Sequence, residues 1–310
     1  MVAGMQQTSP PSGTQWQIES GDHQAVVVEV GGGLRAYRVA GQDLLDGYGE
    51  DEIAPGGAGQ VLAPWPNRIR DGRYAFQGGS YQLPLSEPAH HNASHGLVRW
   101  LPWQATEVGG GEVTLECRLP AQPGYPWTLH LRTVWSVGAD GLRATHSATN
   151  LSGRPCPFGI GVHPYLRLPG VPVDAVKLSV PARSRLLVDA RLLPIGAARV
   201  AGSEYDFGAA RPIGGAVLDT AFGDLPPGGS TVTLSTVDED RSVSVWADGA
   251  FRWWQVYTGD TLPAPRTRRA VAVEPMSCPP DAFSSGRDLV SLAPGETWRG
   301  AWGINPKLGA

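Results

Sequence analysis

Hydrophobic and polar residues alternate with a period of two through several segments of this chain. The alternation is clearest at residues 113–119 and 127–135. It is typical of half-buried β-strands, because successive side chains of a strand point to opposite faces of its sheet. Residues 24–30 and 34–39 show strand character as well, and the three glycines between them indicate a hairpin.

The rest of the chain repeats this pattern of short strands separated by Gly, Pro, Asp and Asn. No segment of ten or more residues combines helical periodicity with caps, and no repeat of fixed period is visible. The sequence therefore predicts an all-β protein, a large antiparallel β-sandwich, rather than a doubly wound parallel sheet. Further strands are predicted at residues 142–149, 158–168, 176–180, 230–236, 241–246, 251–258, 269–274 and 297–304.

Length and composition agree with one sandwich domain. The chain has 310 residues, of which 41% are hydrophobic, and its 41 glycines and 28 prolines suit frequent turns. All-β sandwiches run past about 200 residues as single units. We therefore predict one domain over residues 15–310, preceded by a flexible leader at residues 1–14.

Charge and cysteine content exclude several classes of function. The net charge is −4, and the nearest approach to a basic cluster, residues 266–269, indicates a solvated loop, so no nucleic-acid partner is expected. The three scattered cysteines, Cys117, Cys156 and Cys278, fit a reducing compartment. Neither a signal peptide nor a long apolar run is visible. We expect a cytoplasmic protein without a membrane partner.

His163 is the first candidate for chemistry. If residues 158–165 form a strand, alternation places Gly159, Gly161 and His163 on one face, and Ile160 and Val162 on the other. Glycines inside a strand often mark the close approach of a ligand or of another backbone. The residues alone leave open a core histidine that is bonded to a backbone carbonyl. On the ligand interpretation, Gly161→Val places a side chain beside His163 and blocks binding.

Glu274 repeats this pattern at the end of an apolar strand. Ala270, Ala272 and Glu274 share one face, and two valines share the other. A carboxylate in such a place is paired, exposed or functional. Proline follows both Glu274 and His163, which favours extended backbone at each. Two titratable groups on small-residue faces at strand ends suit a shallow polar cleft.

Loops supply the remaining candidates. Asn67 and Arg68 follow a Pro-Trp-Pro turn, and the planar donors of Arg68 suit vicinal hydroxyls or a carboxylate. An ordinary surface ion pair is the alternative. The spacing of His90, His91 and His95 invites a metal site, but no H-E-x-x-H companion accompanies it, so we expect no metal. The 11 tryptophans and 8 tyrosines provide rings that stack on sugars.

Five short motifs follow one another between residues 60 and 285. They are Asn67-Arg68-Ile69, His95-Gly96, Gly161-Val162-His163-Pro164-Tyr165, Leu218-Asp219-x-x-Phe222, and Val273-Glu274-Pro275 with Pro280-Asp281-Ala282-Phe283. In content and order they resemble the aldose 1-epimerase (galactose mutarotase) family. Outside them the similarity is one of strand pattern.

The resemblance implies a galactose mutarotase-like supersandwich that epimerises the anomeric carbon of a monosaccharide. It implies no cofactor, with Glu274 as general base and His163 as general acid. A monomer or a homodimer is expected. Four residues then bind the sugar hydroxyls: His95, Arg68, Asp219 and, more peripherally, Asn67.

The substrate is less defined than the chemistry. A free aldohexose of the glucose or galactose type is expected. A hexose-6-phosphate 1-epimerase is the main alternative, and it needs further cations at the cleft rim, for which Arg183, Arg185 and Arg266 are the candidates. A non-catalytic sugar-binding module has no need of a matched acid and base. A polysaccharide lyase or hydrolase lacks an identifiable second catalytic group.

Overall fold

The computed structural model describes residues 9–309, and β-strands dominate this part of the chain. The one α-helix, α1, covers Ala282–Ser285, so no helix here has the length and apolarity that crossing a membrane requires. The strands are β1 Gln15–Ser20, β2 His23–Val28, β3 Leu34–Val39, β4 Gln42–Asp43, β5 Val61–Leu62, β6 Arg68–Arg70, β7 Arg73–Phe76, β8 Gly79–Gln82, β9 Asn92–Ser94, β10 Gln104–Gly109, β11 Glu112–Leu119, β12 Leu129–Gly138, β13 Gly141–Asn150, β14 Cys156–Phe158, β15 Gly161–Val162, β16 Tyr165–Leu166, β17 Lys177–Ser179, β18 Ser184–Val188, β19 Pro194–Arg199, β20 Arg211–Pro212, β21 Asp219–Gly223, β22 Gly229–Ser235, β23 Ser242–Asp248, β24 Trp253–Tyr257, β25 Val271–Met276, β26 Val290–Leu292 and β27 Thr297–Lys307.

Two large antiparallel sheets form most of the molecule. The nine-stranded sheet has the order β10-β11-β12-β13-β27-β23-β22-β17-β20. The eight-stranded sheet has the order β19-β18-β21-β24-β25-β15-β5, with β16 also paired to β25. Strands β1 to β4 form a separate sheet. The prediction of a large antiparallel all-β fold is confirmed.

The predicted alternation is reproduced by burial. Along β12, every second residue from Leu129 to Val137 is buried, and the intervening residues are half-exposed. The buried faces meet in one continuous apolar core that includes Ile18 and Ile304. Tryptophans fill much of it, and Trp135 packs edge-to-face on Trp302 at 5.8 Å between ring centroids. Such rings bury large apolar areas, so the tryptophan-rich composition serves the core first.

The predicted strand at residues 158–168 is interrupted. It is divided among β14, β15 and β16, with His163 and Pro164 between the last two. Proline lacks the N–H that a sheet ladder requires. The backbone also bonds outside the sheet, because the N–H of Gly159 donates to the carbonyl of Pro64 at 2.7 Å. A single continuous strand was therefore the wrong prediction, and His163 lies on a link between strands.

The end of the predicted leader is also ordered. Residues 1–8 lie outside the described part, but Ser12 is buried and its carbonyl accepts the N–H of Val30 at 2.9 Å. The N–H of Thr14 donates to the carboxylate of Glu29 at 2.8 Å. These bonds attach residues 12–14 to the segment that follows β2. The prediction of a flexible leader extending to residue 14 is wrong for these residues.

Candidate active site

A cleft of about 520 Å³ lies over the eight-stranded sheet. The six predicted site residues all line it: Asn67, Arg68, His95, His163, Asp219 and Glu274. Twelve further residues complete the lining: Gly56, Glu87, His90, Tyr165, Ala190, Leu192, Val217, Leu218, Tyr257, Asp260, Thr261 and Leu262. Residues far apart in the sequence thus share one cavity.

Glu274 occupies the central strand β25, where it is 2% exposed. Ala272 on the same face belongs to a small apolar cluster with Tyr165, whereas Val271 and Val273 belong to the main core. The predicted division of this strand into two faces is therefore confirmed. Among the described residues, Glu274 Oε2 has no hydrogen-bond partner, and a buried polar atom of this kind calls for a ligand or a solvent molecule.

His163 lies directly against Glu274. Its Nε2 atom is 3.3 Å from Glu274 Oε1. One face of the imidazole stacks on the ring of Tyr165 at 4.8 Å between centroids, and the ring of His95 approaches edge-on at 5.5 Å. The hydroxyl of Tyr165 donates to the carbonyl of Gly56 at 3.0 Å, which fixes the stacking ring. Packing thus orients the imidazole toward the carboxyl group.

Burial changes the proton affinities of this pair in opposite directions. Burial, and then the charge of Asp219, raises the pKa of Glu274 well above its usual range, and the nearby Arg68 offsets part of this rise. Burial lowers the pKa of His163 to about 3, and the charges of Arg99 and Arg68 act in the same direction. Desolvation disfavours the charged form of each group. Both shifts therefore favour the uncharged form of each group.

Arg68 extends into the cleft from β6 and is held by a carboxylate. Its Nε atom donates to Glu87 Oε2 at 2.8 Å, and its Nη2 atom donates to Glu87 Oε1 at 2.9 Å. Its Nη1 atom is 3.5 Å from Oδ1 of Asn67, a buried residue with a positive φ of 54°. The ion pair considered for Arg68 therefore exists, but it forms part of the cleft wall.

Asp219 begins β21 and is held by the neighbouring strand. Gln255 on β24 donates its amide to Asp219 Oδ1 at 2.5 Å and lies opposite Glu274 on β25. Burial raises the pKa of Asp219, and Arg68 opposes the rise. Gln255 was not predicted as a site residue. In the sequence, the only feature that marks Gln255 is its position in a predicted strand. Its contact with Asp219 depends on how β21, β24 and β25 align.

Gly159 and Gly161 do not line the cleft. A Cβ atom on Gly159 would lie 2.4 Å from the sulfur of Cys278, and one on Gly161 would lie 2.8 Å from Cβ of Pro66. These glycines allow close packing of the link between strands onto the Pro64–Pro66 turn. The expectation that Gly161→Val inserts a side chain beside His163 is wrong, because that side chain would collide with Pro66 and Met276.

The three neighbouring histidines have different partners. His91 is exposed and bonds Asp71 at 2.8 Å. His90 approaches Glu87 at 3.2 Å, and the ring of His95 lies against His163. Burial lowers the pKa of His95 well below its usual range. Within residues 9–309, no group of three His, Cys, Asp or Glu side chains is arranged to hold a metal ion.

The basic run at residues 266–269 lies in a partly exposed loop, as predicted, but its arginines also form ion pairs. Arg266 and Arg269 both bind the buried carboxylate of Asp46. Arg268 bonds Asp260 at 2.6 Å and Asp174 at 2.7 Å. The ion pairs were not predicted because their carboxylates lie 94 or more positions away in the sequence or, for Asp260, in the same loop.

The other arginines considered as phosphate ligands lie outside the cleft. Arg185 packs over the ring of Tyr205 at 3.6 Å from its centroid, and Arg183 is exposed away from the lining residues. Of the residues that line the cleft, Arg68 is the one Arg or Lys. Its charge is matched by that of Glu87.

Comparison with known proteins identifies relatives of this chain. The family model described as aldose 1-epimerase matches residues 14–304. The uncharacterized protein YihR of Escherichia coli (strain K12) is 36% identical over 292 residues, which cover 93% of this chain and 92% of that protein. The crystal structure of a GalM/aldose epimerase homologue from C. elegans superposes with a TM-score of 0.85 at 19% identity, covering 96% of this chain and 99% of that one. The galactose 1-epimerase of Lactobacillus acidophilus NCFM gives a TM-score of 0.81 at 20% identity, with 95% and 94% coverage. At these identities the two structures show a shared fold.

Proposed function

Because this chain belongs to the aldose 1-epimerase family, we propose that it interconverts the α and β anomers of a free aldohexose of the glucose or galactose type. The observation that carries the proposal is the contact of 3.3 Å between Glu274 and His163 at a buried position in the cleft. A carboxyl group and an imidazole in contact are groups that can accept and donate protons in general acid–base catalysis. The galactose 1-epimerase of Lactobacillus acidophilus has the same fold, which supports a hexose as substrate.

The reaction moves two protons and breaks one ring bond. Glu274 removes the proton of the C1 hydroxyl while His163 protonates the ring oxygen, and the C1–O bond of the ring opens to give an aldehyde. The C1–C2 bond then rotates. The freed hydroxyl attacks the other face of the aldehyde, with the two proton transfers reversed. General acid–base catalysis of this kind contributes about 10²- to 10⁴-fold.

The proton count of the pair suits this cycle. One proton enters Glu274 as another leaves His163, so the pair carries the same number before and after ring opening. An uncharged pair and the ion pair that starts the reaction differ only in which partner holds that proton. The charge of Arg68 lowers the pKa of Glu274, which favours the ionised carboxylate, and it also lowers the pKa of His163, which makes the imidazolium a stronger acid toward the ring oxygen.

Four residues bind the hydroxyl groups of the sugar in this proposal. Arg68 donates, Asp219 accepts, and a neutral His95 does either. Asn67 stays peripheral, next to Arg68. Holding the open chain close to its closing geometry lowers the barrier further, because rotation about C1–C2 then occurs within a defined space.

The charge of the cleft supports an uncharged sugar. Arg68 is neutralised by Glu87, while Asp219, Asp260 and Glu274 add carboxyl groups to the lining. A 6-phosphate brings two negative charges into this environment without a free cation among the described lining residues. A hexose 6-phosphate therefore serves as the contrasting substrate in the test.

The proposal is tested by following anomer exchange of α-glucose and α-galactose in a polarimeter and by NMR, with arabinose, xylose and glucose 6-phosphate alongside. Glu274→Gln and His163→Asn are each expected to lose at least about 100-fold in turnover while retaining the β-sheet circular dichroism spectrum. An equilibration rate equal to the wild type in Glu274→Gln would refute the assignment.

A second carboxylate–imidazole contact provides the matched control. Glu116 and His130 are 3.1 Å apart on the nine-stranded sheet and do not line the cleft. Glu116→Gln and His130→Asn should leave turnover within about twofold of wild type, because surface pairs away from a site contribute little. A wild-type protein that binds sugars in calorimetry but leaves their exchange rate unchanged would instead be a binding module.

A further inference from the structure

Both carboxylate oxygens of Glu87 accept hydrogen bonds from other side chains of the protein, although Glu87 lines the cleft. Its Oε1 atom accepts bonds from Arg68 Nη2 at 2.9 Å and Nε at 3.2 Å, and lies 3.2 Å from His90 Nδ1. Its Oε2 atom accepts bonds from Arg68 Nε at 2.8 Å and from the amide of Asn92 at 3.2 Å. A carboxylate offers about four lone-pair sites. Little acceptor capacity is left for a sugar, so any effect of Glu87 on a ligand is exerted through the side chains that it binds, chiefly Arg68.

A buried asparagine fixes Glu87 in turn. Asn92 is 0% exposed, and its backbone exchanges two hydrogen bonds with that of Glu87, at 3.0 and 3.2 Å. Its amide nitrogen also donates to the carbonyl of Arg191 at 3.1 Å. Backbone and side chain together hold the carboxylate of Glu87 in one place, before any ligand arrives.

The guanidinium of Arg68 is thereby oriented as a whole. Its five N–H donors lie in one rigid plane, so bonds to Nε and Nη2 also fix the direction of Nη1. The nearest acceptor to Nη1 is Asn67 Oδ1 at 3.5 Å, the limit of a hydrogen bond. Nη1 therefore keeps the largest donor capacity for a ligand in the cleft, two N–H groups, with one more left on Nη2.

We propose that Glu87 is a positioning residue of this site, which holds Arg68 so that Nη1 donates to a sugar hydroxyl and which balances the positive charge of Arg68. This assignment rests on the proposed epimerase function. Without Glu87, the long side chain of Arg68 regains rotamer freedom, and it pairs with the carboxylates of Asp219 or Glu274 instead. Either change removes the donor from the sugar.

A double-mutant cycle tests whether Glu87 acts through Arg68. Glu87→Ala should lower kcat/KM for the preferred aldose by about 10- to 100-fold, mainly through KM, the loss expected when a charged donor no longer meets its acceptor. In the Arg68→Ala background, Glu87→Ala should cost less than about threefold, because the group on which it acts is already absent. Glu87→Gln keeps one acceptor and the size of the side chain, so its kcat/KM should fall less than that of Glu87→Ala. This variant also serves as the test if the alanine variant fails to fold.

The controls separate positioning from a general effect on folding. Glu116 also contacts an arginine and a histidine, Arg132 and His130, but lies on the other large sheet. Glu116→Ala should therefore leave kcat/KM within about twofold of wild type. Losses for Glu87→Ala that multiply with those of Arg68→Ala would overturn the assignment, as would unchanged kinetics in Glu87→Ala. If the wild type is active but the losses of the two variants multiply, only the role of Glu87 is refuted. If the wild type does not accelerate anomer exchange, the proposed function is refuted, and this role with it.

Discussion

At the scale of the residue, the cleft is defined by ionisable groups that the protein has removed from water. Glu274 is 2% exposed and His163 is 5% exposed, yet they contact each other and few other polar atoms. An ionised carboxylate at such a position is costly, and the cost is carried by the folded state alone. The groups proposed to catalyse the reaction therefore also limit stability.

This cost predicts a pH-dependent gain in stability for Glu274→Gln. The folded pKa of Glu274 lies well above the unfolded value of 4.5, so the protonated carboxyl contributes stability that is fully present below pH 4.5. The contribution is lost as the pH rises through the folded pKa, by at most about 1.4 kcal/mol per pH unit. Glutamine does not titrate, so the variant does not undergo this loss.

Urea unfolding of both proteins at several pH values between 4 and 9 measures the effect. The free energy of unfolding of Glu274→Gln minus that of wild type should increase with pH above about 4.5. A difference that is independent of pH, or that decreases, would contradict the raised pKa. The measurement needs no substrate, so its outcome is independent of the reaction proposed for the pair.

At the scale of the element, the cleft rim is built from loops that arginines tie together. Arg268 bonds the carbonyls of Gly214 at 2.8 Å and Ala216 at 3.1 Å, as well as the carboxylate of Asp260 at 2.6 Å. The loop before β21 and the loop after β24 thus share one guanidinium. Val217 and Leu218 on the first loop and Thr261 and Leu262 on the second line the cleft.

Arg268→Ala should therefore loosen both loops at once. Amide hydrogen exchange at residues 214–218 and 259–268 should accelerate by about tenfold or more, since several charge-assisted hydrogen bonds are lost together. Exchange at β12 and β13 should stay unchanged, because these strands lie in the nine-stranded sheet. Arg268→Lys should restore little of the protection from exchange, because an ammonium lacks the planar array of donors that spans these acceptors. Faster exchange confined to one loop would show that Arg268 does not couple them.

At the scale of the whole molecule, distant parts of the chain complete each sheet. The last strand, β27, pairs with β13 on one side and β23 on the other, in the middle of the nine-stranded sheet. The apolar core is shared between residues near both ends of the described chain, such as Ile18 and Ile304. We propose on this basis that residues 15–310 fold as one domain.

One domain of this kind should unfold in one cooperative transition. Urea titrations followed by tryptophan fluorescence and by far-ultraviolet circular dichroism should give the same midpoint, because the tryptophans and the sheets belong to the same core. Refolding on dilution provides the check of reversibility. Two separated midpoints would show that part of the chain folds independently and would contradict the single domain.

The sequence alone predicted many of the longer strands and pointed to the residues that meet in the cleft. Period-two alternation located β11, β12, β13 and β27, because a half-buried strand needs one apolar face. The same logic predicted the two faces of β25 around Glu274. The motif order then pointed to six residues that do line one cleft. These features are local, or belong to motifs that can be read along the chain.

Tertiary structure decided what depends on contacts between distant segments. Gly159 and Ile160 lie outside the strands because their backbone bonds Pro64 and Ser277, so the predicted strand is interrupted before β15. Glu87 became part of the site only because β6 and β9 bring it to Arg68, and the basic run forms these ion pairs only because Asp46 and Asp174 lie beside it. Periodicity reports which face of an element is buried, but it contains no information about which buried partner that face meets. The sequence by itself thus determined the all-β class and pointed to Glu274 and His163, while only the fold determined which groups contact this pair, which groups bind Arg68 and what ties the rim loops together.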